Sequence, residues 1–162
     1  MSTSQPSRIR YRAAILAGIG AGIIATPVQM LCWWISGYSV TALLLRDTRL
    51  AAAIVLGPQV LPPPVDPDFA ITVAAGAVHF LLSAAYGIAQ GALAIRFHKR
   101  RALVAGAVFG LLLFAVNMYG FTVLFPWFSA SRDWATVMAH LAFGVSAAAL
   151  YARLAPQRRR AA

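Results

Sequence analysis

Four polar side chains, Gln29, His79, Asn117 and His140, stand inside long apolar stretches of this 162-residue chain. A histidine in such surroundings can hold a metal, relay a proton near neutral pH, or hydrogen-bond another polar group. His79 and His140 have the composition of two axial ligands for one b-type haem held between helices. Met30 and Met118 adjoin the two amides and add soft sulfur that suits copper(I), a second metal reading. Two imidazoles with neither a carboxylate nor a thiolate pair do not make a closed zinc site. The plainest alternative is that the amides and imidazoles bond one another across helices, at about 0.6 kcal/mol per bond. A small pore or carrier is a further reading, although no acid inside the apolar runs is available to couple a proton or cation gradient.

The rest of the chain offers little to an enzyme. There is no glycine-rich phosphate loop, no nucleophile with a base at useful spacing and no pair of carboxylates. The single cysteine, Cys32, forms no internal disulfide and reads as a packing residue.

The polar residues are positioned by helices that the composition places in a membrane. Apolar residues make up 60% of the chain against 11% charged, with mean hydropathy +0.73, far from a soluble domain. The apolar runs are Ala13 to Ser36, Phe69 to Ile95, Ala102 to Phe125 and Trp134 to Leu154. Each approaches or exceeds the roughly 20 residues that a helix needs to cross the hydrocarbon layer. The expected fold is all-α, a polytopic four-transmembrane-helix bundle forming one membrane domain over residues 1–162, with an outer loop over 37–68.

Charge supplies the orientation. Of the 14 basic residues, Arg46, Arg49 and Arg132 fall on one side together with all four acids, Asp47, Asp66, Asp68 and Asp133. The other 11, in Arg8 to Arg12, Arg96 to Arg101 and Arg153 to Arg160, fall on the opposite side, which the positive-inside rule makes cytoplasmic. The net charge of +10 therefore belongs to the membrane surface, with no nucleic acid implied. The first run is longer than a signal-peptide core and lacks a clean cleavage site, so it reads as an uncleaved helix. These features place the chain in a bacterial inner membrane with both termini cytoplasmic. His98 sits in the basic loop on that side and reads as solvated near lipid headgroups.

An internal repeat is also visible. Arg12-Ala13-Ala14-Ile15-Leu16-Ala17-Gly18 lies over Arg100-Arg101-Ala102-Leu103-Val104-Ala105-Gly106, with Gly22 on Gly110 and Val28-Gln29-Met30 on Val116-Asn117-Met118. Val78-His79-Phe80 lies over Ala139-His140-Leu141. The chain then reads as two parallel two-helix repeats, about 12–98 and 100–155, related by an axis along the membrane normal. Helical spacing gathers Gly18, Gly22 and Gln29 into one stripe, and Gly106, Gly110 and Asn117 into its copy. His79, Ser83, Tyr86 and Gln90 form a third stripe, and Thr136, His140, Gly144 and Ala147 a fourth. Small residues permit close helix approach, so these stripes should face the interior or another copy.

The first repeat carries a longer outer loop, with a short helix expected over Arg49 to Leu56, stopped by Gly57 and Pro58 and followed by Pro62-Pro63-Pro64. This segment reads as an interfacial helix with an extended proline stretch, or as a re-entrant cap or docking surface. Trp33, Trp34, Trp127 and Trp134, with Tyr119 and Phe125, read as an interfacial aromatic belt.

Ala52-Ala53-Ile54-Val55-Leu56-Gly57-Pro58, Tyr119-Gly120-Phe121-Thr122 and Phe125-Pro126-Trp127-Phe128 resemble stretches of a group of small uncharacterised bacterial inner-membrane proteins, some of which carry the label sodium:proline symporter. A more distant likeness is to YagU-type proteins, which similarly pair a histidine in one helix with a glycine-histidine in the last. The symporter label implies many more helices with unwound centres, which four continuous runs do not supply. The resemblance implies a four-helix membrane protein and no activity. The function expected is that of an accessory or scaffold subunit, self-associating or docked on a larger membrane complex, with haem b or copper binding as the alternative.

Overall fold

The computed structural model describes residues 9–63, 66–97 and 99–155, apart from the side chains of residues 99 and 100. Arg8, Pro64, His98 and Arg158 to Arg160 lie outside the described residues. The architecture is all-α, with five α-helices among the described residues: α1 (Tyr11–Ile35), α2 (Val40–Leu56), α3 (Phe69–Ala94), α4 (Lys99–Ala115) and α5 (Trp134–Leu154). Helices α1, α3 and α5, and the helical stretch Arg101–Val123 that begins in α4, are long and apolar enough to cross a membrane. The shortest, α5 with 21 residues, rises about 31 Å at 1.5 Å per residue, enough for a hydrocarbon layer of about 30 Å. The chain is a multi-pass membrane protein built as a four-helix bundle.

Side-chain carboxylates start two of the spanning helices. Asp68 accepts from the Ile71 amide at 2.9 Å at the head of α3, and Asp133 accepts from the Thr136 amide at 2.8 Å at the head of α5. Each satisfies a backbone donor that the first helical turn leaves unpaired.

The third span, Arg101–Val123, is not one continuous α-helix. After Ala115 the backbone widens into a π-helical turn, Val116–Gly120, then tightens into 3-10 turns at Phe121–Val123 and Pro126–Ser131. Pro126 has no amide proton to continue a helix, so the apolar run that extends to Phe125 in sequence ends as a helix earlier. The π turn carries Asn117, one of the four polar residues.

Around the bundle the order is α3, α1, α5, α4. Helix α1 packs along both α3 and α5, and α4 packs along α5, whereas α3 and α4 touch sparsely. Glycines set the tight crossings. A Cβ on Gly18 would meet the Ser83 carbonyl and stand 2.8 Å from the Gly87 Cα. A Cβ on Gly106 would stand 2.5 Å from the Gly144 carbonyl oxygen and 2.9 Å from the Ala148 Cβ. Gly18 and Gly106 are 88 residues apart, and Ser83 and Gly87 precede Gly144 and Ala148 by 61, so the two crossings use corresponding positions. The glycine stripes join helices of one chain.

The segment between α1 and α3 forms a cap. Helix α2 runs from Val40, nine residues earlier than the sequence pattern indicates, because Ser39 caps it by accepting from the Ala42 amide. Gly37 at φ 76° and Gly57 at φ 88° turn the chain at its two ends, a left-handed backbone that favours glycine. Its buried face, Leu50, Ala52 and Ala53, packs mainly against α3. Buried Arg49 donates to the Val60 and Asp66 carbonyls, both at 3.1 Å, and so holds the loop that follows. Trp127 donates to the Leu50 carbonyl at 3.0 Å.

The aromatic belt divides accordingly. Trp34 and Trp134 are exposed, but Trp33 is buried with Cys32 and Ala135, and Trp127 is half-buried against α2. Trp33 and Trp127 are packing residues, because α2 covers the face that would otherwise meet the interface.

Candidate functional site

Gln29, His79, Asn117 and His140, one from each spanning segment, all line a single cavity of about 240 Å³ in the half of the bundle beneath α2. None of the residues in the four polar and glycine stripes is exposed. The cavity is partly open, and its apolar walls include Leu82, Phe121, Phe128 and Phe143.

One side of the polar layer is a closed chain of hydrogen bonds. The Tyr86 hydroxyl donates to Asn117 Oδ1 at 2.7 Å, and Asn117 Nδ2 lies 3.1 Å from His140 Nε2. His140 Nδ1 lies 2.8 Å from the Thr136 carbonyl oxygen, which can only accept. The proton therefore sits on Nδ1, and Nε2 accepts from the amide. His140 is neutral and both of its ring nitrogens are used.

The other side is arranged differently, although the sequence repeat would pair Gln29 with His79. Gln29 Nε2 turns to α2 and α5, donating to Asp47 Oδ2 at 3.3 Å and to Thr136 Oγ1 at 3.1 Å. His79 instead stands against the Gly22 backbone, its Nε2 2.9 Å from where a Gly22 Cβ would be, with Ser83 Oγ at 2.5 Å from the same point. Phe80 meets the His79 ring edge-on at 5.3 Å between centroids. The two histidines thus occupy corresponding positions in unlike environments.

Asp47 is the residue that sequence reasoning missed. The charge pattern puts it among the acids of an outer loop, yet α2 carries it into the cavity wall. Its Oδ1 accepts from Ser131 Oγ and Arg46 Nε, both at 2.9 Å. Burial pushes its carboxyl above the ordinary value, opposed by the Arg46 charge and by the Ser131 and Arg46 hydrogen bonds. The available signal was an acid within a 17-residue stretch, Val40 to Leu56, that is otherwise mostly apolar.

Below the cavity, one turn from Tyr86, Gln90 is fully buried, and neither amide atom has a hydrogen-bond partner among the described residues. The α3 polar stripe thus continues toward the end of the bundle where the termini emerge.

The cofactor readings can be tested against these bonds. An iron bound to His140 would displace either Asn117 or the Thr136 carbonyl. The cavity is also smaller than the roughly 300–1,000 Å³ of ordinary cofactor and ligand pockets. With both His140 ring nitrogens engaged, the residues present do not fit a bis-histidine haem. For copper, buried Met118 lines the cavity, but Met30 packs on the Cys32, Trp33 and Ala135 cluster. Among the described residues no three His, Cys, Asp or Glu side chains converge on a point where a metal could sit.

No protein-family model, no curated protein and no solved structure matches the chain. The functional reading rests on the geometry.

Proposed function

We propose that the chain is a non-enzymatic accessory protein of a bacterial inner membrane that holds a small amphipathic molecule in the cavity beneath α2. The observation that carries this reading is the convergence of four helices' polar side chains on one cavity that the bundle leaves unfilled. A layer serving only to fasten helices would close on itself, as Asn117 and His140 do. On the His79 side the space stays open.

The charge asymmetry supports cytoplasmic termini, and hence a cavity in the periplasmic half. The corresponding crossings of Gly18 and Gly106 support descent from a duplicated two-helix unit and with it the likeness to other small four-helix membrane proteins. An accessory role follows from a site that binds without a catalytic set. The glycine stripes lend no support to a homo-oligomer, since they are consumed within the chain, so docking on a larger complex falls to the α2 face.

Organic extraction of the protein purified in mild detergent, followed by mass spectrometry, tests the reading. A stoichiometric small molecule is expected, reduced when Leu82→Trp fills the cavity. Recovery of bulk lipid alone, in equal amount from both proteins, would refute it. Capture from native membranes with a strictly monomeric, partnerless outcome would remove the accessory role while leaving the cavity reading intact.

A further inference from the structure

We propose that the cavity takes the headgroup of a lipid-soluble para-quinone or its quinol, a proposal that rests on the ligand-holding reading above. Charge narrows the ligand first. Among the described residues Asp47 is the one charged group on the cavity wall, and its carboxylate is already met by Gln29, Ser131 and Arg46. Neither a phosphate nor an amine finds an unpaired opposite charge, and bringing either into a low-dielectric site without one is costly. The ligand is neutral.

Size and shape come next. A cavity of about 240 Å³ admits one substituted ring and excludes a whole lipid. Phe121, Phe128 and Phe143 supply aromatic walls of the kind against which a flat ring packs.

Donors then specify the ring's polar groups. An amide nitrogen carries two hydrogens, and Asn117 commits one of them to His140. Thr136 Oγ1 accepts from Gln29, which leaves its own proton to give. Across the cavity on α3 the buried Ser83 hydroxyl has its proton to give, and His79, one nitrogen of which meets the Gly22 backbone, offers the other as an acceptor. Hydrogen-bond donors thus face the space from two opposite walls, matching a ring with a carbonyl oxygen at each end. Every group also has acceptor or donor capacity to meet the hydroxyls of a quinol.

The open seam accounts for the tail. Helices α3 and α4 touch sparsely, whereas α1 and α5 on the opposite side pack along their length, so an apolar chain leaving the ring would pass between α3 and α4 into lipid. The inference concerns binding alone and no electron transfer is required of the chain.

The test titrates the protein in lipid nanodiscs with a decyl-substituted benzoquinone, following quenching of tryptophan fluorescence and heat of binding. Decanol supplies the tail alone and decyl phosphate the same tail with an anionic head. Saturable binding is expected for the quinone only. Ser83→Ala should weaken it roughly tenfold, the worth of about one hydrogen bond, while helicity and melting temperature stay near the parent's. Leu82→Trp should abolish it. Equal binding of decanol, or tighter binding of decyl phosphate, would overturn the quinone assignment and leave a ligand cavity standing. If extraction recovers a stoichiometric molecule that is not a quinone and the titration is flat, this inference falls alone. If both are empty, the ligand-holding reading falls with it.

Discussion

Tyr86 on α3 and Asn117 in the π turn after α4 meet at 2.7 Å across the thinnest seam of the bundle. Elsewhere neighbouring helices are joined by glycine and alanine surfaces, but here a hydroxyl and an amide span a gap that packing does not fill. Tyr86→Phe would keep the ring against Phe143 and remove only the donor. The expected loss is about 0.6 kcal/mol, the average for such bonds in membrane bundles and seldom above about 1.7. Because Asn117 also meets His140, Tyr86→Phe and Asn117→Leu should be non-additive in a double-mutant cycle. Unfolding in graded denaturing detergent measures both, and strict additivity would mean that the bond contributes nothing.

The two histidines should behave differently despite their corresponding positions. His140→Ala strands the Asn117 amide and the Thr136 carbonyl arrangement together, at an expected cost of about 1–3 kcal/mol. His79→Ala breaks no side-chain pair of that kind and should cost less than His140→Ala, while affecting ligand retention more. Melting temperatures of the two variants, compared with the mass of extracted ligand, separate the roles. Equal destabilisation with equal ligand content would contradict the asymmetry.

How much of this was legible in the sequence follows from the length over which each feature is encoded. The spanning helices are written in runs of more than 20 residues, and the facing of Gly18, Gly106, His79 and His140 follows from helical periodicity alone. Asp47 was not legible as a site residue, because only the docking of α2 on α3 lifts it into the bundle, and that contact is between distant segments. Trp33 reads as an interface residue in sequence for the same reason: whether a tryptophan near a helix end meets lipid or core depends on what covers it. The break of the third span at Ala115 was hidden because π and α turns of apolar residues share one composition, and Gly120 and Pro126 mark only its far end. The differing partners of Gln29 and Asn117 lie beyond any repeat argument, since they arise where α2 exists in one half and has no counterpart in the other.

Asp47 gives the cap a pH dependence with a definite sign. Its carboxyl is raised above 3.8 in the folded chain, chiefly by burial, so the folded state holds the proton more tightly than the unfolded state. Between those two values the folded state binds more protons, and stability falls as pH rises through the window. Acidification from neutrality through the window should therefore tighten the seat of α2. Hydrogen exchange of residues 40–56 should slow as pH falls through that range, after correction for intrinsic rates. Asp47→Asn should flatten the dependence while retaining an acceptor for Gln29 and Ser131, whereas Asp47→Ala should loosen α2 at every pH, by about 1–3 kcal/mol. Faster exchange of α2 on acidification in the parent, with no such change in Asp47→Asn, would reverse the assigned sign.

The glycine crossings can be tested with an internal control. A Cβ on Gly144 would run into the Gly106 carbonyl oxygen and stand 2.8 Å from the Gly110 amide nitrogen, while one on Gly110 would meet the His140 carbonyl. These are backbone atoms, which yield only if α4 and α5 move apart, so Gly144→Ala and Gly110→Ala should each cost about 1–3 kcal/mol by overpacking. Separation at Gly110 also pulls His140 from Asn117, so its loss should include the polar layer. A Cβ on Gly76 of α3 would meet nothing within 4 Å, and Gly76→Ala should be neutral or stabilise by about 0.5–1 kcal/mol through helix propensity. If all three replacements had the same effect in detergent unfolding, close backbone approach could not be what holds α4 to α5.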